Sequence, residues 1–137
     1  VATRAMAKHK ISEDVVVPRP RLADLLRAVE EIAEATGVRM LCYGHAGDGN
    51  LHLNLLWNEP DHVPRVEEAL SKLFRAVIGM RGTLSGEHGI GSSKAEFLPL
   101  EQSSELIDLQ RRLKAVFDPR GLLNPFKIFP RTGHGSC

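Results

Sequence analysis

Residues 40–57 read MLCYGHAGDGNLHLNLLW, and this stretch decides the fold. An apolar, β-prone run, MLCY, leads into turn residues, GDGN, that tolerate positive φ, and an alternating run, LHLNLLW, follows. A helix would place His45 and His52 on one face, but each glycine inside it would cost about 1 kcal/mol relative to alanine. The stretch therefore predicts a β-hairpin, with strands at 38–44 and 50–57, that brings His45 and His52 close together.

The second strand of this hairpin separates polar from apolar side chains. A period of two places His52 and Asn54 on one face and the leucines at 51, 53 and 55 on the other. Two imidazoles supply half of the ligands of a four-coordinate metal site, and Glu87 is the candidate third ligand. Two histidines and one carboxylate would leave the fourth position open for a substrate. Zinc is the first candidate, and manganese or ferrous iron accept the same ligands. The alternative is that the glycines serve a turn and the histidines are polar residues at a sheet edge.

Amphipathic helices are expected on both sides of the hairpin. Apolar residues recur at intervals of three and four in three segments: 20–36, 61–78 and 101–117. An extended segment precedes the first helix at 11–20, and a short strand flanked by glycines is expected within 80–94. The pattern predicts an α+β fold with ferredoxin-like layers, in which helices pack on one face of an antiparallel sheet completed by strands before Val1.

Composition excludes several function classes. The 137 residues make one domain, and 18 basic residues against 17 acidic ones, mixed along the chain, do not favour nucleic acid as a partner. The two cysteines, Cys42 and Cys137, form no disulfide framework, which favours a reducing, cytoplasmic location. No apolar run is long enough to predict a transmembrane segment, and no signal peptide is visible.

Four motifs between residues 10 and 129 carry a resemblance to a known family. In order they read EDVVVPR, GHAGDGNLHLN, GTLSGEHGIGSSK and DPRGLLNPFKIF. Together they resemble the C-terminal domain of FAD-linked oxidases of the vanillyl-alcohol oxidase type, which includes enzymes acting on glycolate, D-lactate or D-2-hydroxyglutarate. The resemblance implies that residues 1–137 are a substrate- and metal-binding cap domain. It also implies that FAD is bound mainly by a separate FAD-binding domain, absent from this chain, and that the chain alone is inactive.

The resemblance also implies roles for individual residues. They are metal ligands His45, His52 and Glu87, catalytic base His88, substrate contact Asn54 and cofactor neighbour Asn124. The implied reaction is oxidation of a 2-hydroxy acid by FAD. The metal would polarise the substrate hydroxyl, and His88 would take its proton as hydride passes from C2 to the flavin. Removal of the C2 proton first is the rival route.

Partners and alternatives follow from the same interpretation. The expected partners are a small 2-hydroxy acid, the FAD-binding domain and an electron-acceptor protein, which would also hold the enzyme at the periphery of the inner membrane. One alternative is a stand-alone metal-dependent hydrolase, with the same three ligands and His88 activating water. The other is a non-catalytic binding module of the same fold.

Overall fold

A computed structural model of the chain describes residues 6–129. Residues 1–5 and 130–137, including Cys137, lie outside the described part. The chain divides into two compact units, Val1–His88 and Gly89–Cys137. No helix in the described part is long and apolar enough to span a membrane.

The first unit contains a three-stranded antiparallel sheet and two long helices. In chain order they are β1 (His9–Val16), α1 (Leu22–Thr36), β2 (Arg39–His45), β3 (Asn50–Trp57) and α2 (Val63–Gly79). The hairpin strand β3 lies between β1 and β2. This confirms the α+β prediction, and the order β-α-β-β-α is that of a ferredoxin-like unit without its last strand.

The third strand of the sheet differs from the expectation. It is β1, which forms largely from the segment predicted to be extended, while the strands expected before Val1 stay a prediction. The prediction of a short strand within 80–94 is wrong. In this segment only Thr83 pairs with another strand, in an isolated bridge with Val16. The backbone N–H groups of residues 86–88 donate to the side chain of Asp14 and are therefore not available to a neighbouring strand.

The strand register sorts the side chains onto two faces. On one face the aliphatic side chains of Val15, Leu53 and Leu55 are fully buried, and α1 and α2 contribute their own buried apolar residues to the core of this unit. On the other face Asp14 lies opposite His52, and Ser12 lies opposite Asn54. Burial of the leucines therefore fixes the position of a row of polar groups on the opposite face.

The second unit contains α3 (Leu98–Glu101) and α4 (Ser104–Phe117). The helix predicted at 101–117 is confirmed, and the Ser103 side chain caps it by accepting a hydrogen bond of 3.3 Å from the backbone N–H of Leu106. The apolar stripe of α4 is largely exposed, up to 78% at Phe117, and Ile107 is its one buried residue in the described part.

The hairpin turn depends on Gly49. Its φ of +75° is unfavourable for other residues, and its carbonyl accepts a 3.0 Å hydrogen bond from the backbone N–H of Val17. A Cβ atom at this position would lie 2.1 Å from the carbonyl oxygen of Val17, whereas a Cβ at Gly47 would meet no atom within 4 Å.

Gly49→Ala is therefore expected to destabilise the protein by roughly 1–3 kcal/mol more than Gly47→Ala, since it combines a left-handed backbone with a clash. Urea unfolding of the two variants beside the wild type measures the difference. Equal losses would show that the turn tolerates a side chain at either glycine.

The residue at the C-terminal cap of α4 is Asp118, and its carboxylate binds the backbone that follows the helix. It accepts hydrogen bonds from Lys114 Nζ at 2.5 Å and from the backbone N–H groups of Leu122 and Leu123 at 2.9 Å each. The hydrogen bond from Lys114 is the largest cause that lowers the pKa of Asp118 from 3.8 to about 2. A depressed pKa stabilises the fold above the unfolded-state value, and this stabilisation is lost as the pH falls from 3.8 through about 2.

Thermal unfolding between pH 5 and pH 2 should accordingly show a smaller acid-induced loss of stability in Asp118→Asn than in the wild type. Asp108→Asn is the matched control, because Asp108 pairs with Arg111 at 3.1 Å on the exposed surface of the same helix, where such pairs contribute little. A wild-type acid profile in Asp118→Asn would contradict the role of this carboxylate.

Candidate metal centre

The two hairpin histidines lie side by side, as the sequence predicts. His45 ends β2 and His52 is in β3, and their ring centroids are 5.5 Å apart in an edge-to-face arrangement. The Tyr43 ring lies 5.4 Å from the His52 ring. The tight turn thus places two imidazoles at one end of the polar sheet face.

Glu87 reaches the same place from the loop after the Thr83 bridge. One ligand atom from each of His45, His52 and Glu87 lies within 4.8 Å of the other two, and this is the one such cluster found in residues 6–129. His52 Nε2 is 3.1 Å from Glu87 Oε1. The three residues suggested by the sequence are therefore brought together.

The donor set fits a divalent metal. Ligands about 2.1 Å from a shared tetrahedral zinc lie about 3.4 Å apart, which the His52–Glu87 pair nearly matches already. The widest pair, within 4.8 Å, would have to move closer for all three groups to bind one ion. Since Glu87 is 52% exposed, the cluster has an open side where a substrate or water can supply a further ligand.

His88, the predicted base, lies beside these three groups. Its ring stacks on the His52 ring at 5.4 Å, and its Nε2 is 4.0 Å from Glu87 Oε1. Its other nitrogen, Nδ1, is 3.4 Å from Oδ1 of Asp14. The two nitrogens of one imidazole thus face two different carboxylates, the buried one of Asp14 and the half-exposed one of Glu87.

Asn54 is on the same sheet face as His52 but is fully buried. Ser12 Oγ donates a 2.7 Å hydrogen bond to its Oδ1, while its Nδ2 has no hydrogen-bond partner among the described residues. Asn50, on the other side of His52, has an equally unpartnered buried Oδ1. Buried polar atoms are normally satisfied, so these two amides leave hydrogen-bonding capacity beside His52. The role of Asn54 as a substrate contact stays a prediction.

Asn124 belongs to the second unit. It has a positive φ of 44° and lines a cavity there together with Gln110, Leu113 and Ile128. Its assignment as a cofactor neighbour stays a prediction.

Sequence reasoning missed Asp14. It lies in the motif EDVVVPR, where an acidic residue inside an apolar strand is the signal of a buried carboxylate that needs donors. In the structure it is fully buried and contacts the loop that carries Glu87 and His88.

A two-histidine, one-carboxylate cluster on a ferredoxin-like sheet, with a further histidine beside it, defines a candidate metal-binding domain. The chain belongs to the family described as FAD linked oxidases, C-terminal domain, whose match covers residues 2–128. This confirms the resemblance carried by the four motifs.

Three relatives illustrate the relationship. The chain is 41% identical over 135 residues to the glycolate oxidase subunit GlcD of Bacillus subtilis, covering 95% of this chain and 29% of the relative. It is 36% identical over 116 residues to a mitochondrial D-lactate dehydrogenase [cytochrome] of Kluyveromyces lactis, covering 85% and 20%. It is also 36% identical over 117 residues to the mitochondrial D-2-hydroxyglutarate dehydrogenase of Bos taurus, covering 85% and 21%. The chain thus spans less than a third of the length of each of these relatives.

The cluster predicts one bound divalent cation per chain. His52→Ala is expected to weaken Zn²⁺ or Mn²⁺ binding at least about tenfold, because it removes one of three protein ligands. Calorimetric titration and metal analysis after dialysis measure this. His62→Ala is the control, since His62 is a part-exposed histidine at the start of α2 whose neighbour is Asp61. Equal losses in the two variants would contradict the assignment of His52.

Proposed function

We propose that this chain is the substrate- and metal-binding part of a flavin-dependent 2-hydroxy-acid dehydrogenase or oxidase. The observation that carries the proposal is the cluster of His45, His52 and Glu87 with His88 beside it, in a member of the FAD-linked oxidase family. The names of the three relatives refer to glycolate, D-lactate and D-2-hydroxyglutarate. All three compounds carry a hydroxyl group next to a carboxylate, which suits a cation with an open coordination position.

The chemistry is divided between the chain and groups that it binds. Held by His45, His52 and Glu87, a divalent cation would supply Lewis acidity, and FAD held by a separate domain would supply the hydride acceptor. The chain itself supplies the base. Nε2 of His88 is 4.0 Å from Glu87 Oε1, and from this position it would accept the proton of the C2 hydroxyl, while FAD would serve as acceptor of the hydride from C2. One proton and one hydride leave the alcohol, which becomes a ketone or aldehyde.

The buried amides beside His52 support a polar substrate. Ser12 satisfies only one of the two polar atoms of the Asn54 side chain, whichever way the amide is turned. A substrate carboxylate or hydroxyl group is a suitable partner for the remaining atom. We therefore assign Asn54 to substrate binding.

The remaining partners are part of the proposal. The whole enzyme would combine this chain with an FAD-binding domain and pass electrons to an acceptor protein. A cytoplasmic location, with the acceptor at the inner membrane, stays a prediction from the sequence. Family membership favours this function over a stand-alone hydrolase, which would cleave esters or amides without flavin.

Cobalt-substituted protein tests the substrate class. Adding D-lactate or glycolate to the Co²⁺-loaded chain is expected to change the visible absorption of the metal, because the hydroxyl and carboxylate oxygens enter its coordination sphere. Propionate, which lacks the hydroxyl group, should cause a change at least about tenfold weaker at equal concentration, since a site built for a hydroxyl group discriminates against its absence.

Two results would contradict the proposal. One is an identical response to propionate and D-lactate, which would show carboxylate binding without recognition of the hydroxyl group. The other is metal-dependent hydrolysis of esters by the chain in the absence of flavin, which would favour the hydrolase.

A further inference from the structure

The loop that carries Glu87 and His88 is wrapped around one buried carboxylate. Oδ2 of Asp14 accepts hydrogen bonds from three consecutive backbone N–H groups, those of Gly86 at 2.7 Å, Glu87 at 2.6 Å and His88 at 3.2 Å. The Ser85 hydroxyl group also lies 3.3 Å from Oδ1 and 3.4 Å from Oδ2. Four successive residues of the loop therefore converge on a single side chain of β1.

The burial of the Asp14 carboxylate makes these hydrogen bonds necessary for stability. Asp14 is fully buried, and an ionised carboxylate without partners in such a place would be strongly destabilising. Hydrogen bonds to a charged acceptor are short and about twice as strong as neutral ones, and successive N–H groups form a binding site for an anion. The carboxylate and the loop backbone therefore stabilise each other, and the loop has little freedom to turn its amides elsewhere.

Asp14 also lies on the same face of the sheet as the candidate ligand His52. It lies directly opposite His52 in the β1–β3 register, so its backbone position is fixed by the same sheet that fixes His52. The carboxylate therefore links a strand-borne ligand, His52, to a loop-borne ligand, Glu87. The bridge between Val16 and Thr83 is a further link from β1 to the segment before the loop.

We propose that Asp14 is the positioning residue of this centre, holding the 85–88 loop by its backbone so that Glu87 faces His52. The same carboxylate orients His88, because its Oδ1 is 3.4 Å from Nδ1 and so favours the ring orientation that leaves Nε2 toward the cluster. Asp14 touches neither the substrate nor the metal in this role. The inference rests on the metal-binding part of the proposed function.

The test compares Asp14→Asn with the wild type in the full chain. The carboxamide keeps the size of the side chain but removes the charge and replaces one acceptor oxygen with an NH₂ donor. We expect affinity for Zn²⁺ or Mn²⁺ to fall about 10- to 100-fold, the usual effect of losing a group that orients a metal ligand. We also expect the backbone amides of residues 86–88 to exchange with solvent at least about tenfold faster in the metal-free protein, while amides in α2 keep their protection.

Glu13→Gln is the matched control. Glu13 is the neighbouring acidic residue of β1, is also buried at 5% exposure, and projects from the opposite face of the sheet. It should leave both metal affinity and the exchange of residues 86–88 within about twofold of the wild type, even where it lowers stability. Equal effects of Asp14→Asn and Glu13→Gln on metal affinity would mean that general destabilisation is responsible and would overturn the proposal.

A milder variant keeps the proposal testable if Asp14→Asn does not fold. Ser85→Ala removes one hydroxyl contact to Asp14 and should weaken metal binding about 2- to 10-fold, in line with the loss of one hydrogen bond. Unchanged metal affinity in Ser85→Ala, with Asp14→Asn unfolded, would overturn the proposal.

Hydrogen exchange separates this inference from the proposed function. If the wild type binds no metal but Asp14→Asn still exposes the amides of 86–88, Asp14 holds the loop and the metal-binding function is wrong. If the wild type binds metal and Asp14→Asn changes neither affinity nor exchange, the metal-binding function stands and the role of Asp14 is wrong.

Discussion

The pairing of β3 with a strand on each side is the constraint on which the site depends. Because side chains alternate along a strand, a shift of one residue would move His52 to the core face and a leucine to the polar face. Burial of Leu53 and Leu55, both fully covered, opposes such a shift. Hydrophobic burial on one side of the sheet therefore determines the position of the polar residues on the other side.

The polar face combines rigid and adjustable parts. Asp14 and Asn54 are fully buried in paired strands, whereas Glu87 and His88 are about half exposed and come from a loop. In the proposed centre, anchoring that loop through its backbone would still allow the Glu87 side chain to rotate toward a cation. A site of this kind combines a fixed framework with a ligand that can adapt to the metal and the substrate.

Local sequence pattern predicts the hairpin and the proximity of its histidines, because glycine chemistry and strand alternation act over a few residues. The role of Asp14 was not predicted, since its partners are 71 to 74 residues away and are backbone N–H groups that no side-chain pattern reveals. The strand expected after residue 80 does not form, and the backbone N–H groups of residues 86–88 are instead bonded to the distant carboxylate of Asp14. The apolar stripe of α4 was predicted correctly as a stripe, but periodicity does not indicate what covers it.

The chemistry of the centre explains why its family is linked to a flavin. Imidazole, carboxylate and amide groups can hold a cation, orient a hydroxyl group and accept a proton, but none of them accepts a hydride. Every group in the candidate centre, from Asp14 to His88, lies in the first compact unit, so the proposed binding and proton transfer would involve residues close together in one sheet and one loop. Oxidation requires a further group with a low-lying acceptor orbital. In the proposed function a flavin would meet that requirement, and the side chains of this chain would place C2 of the substrate and accept one proton.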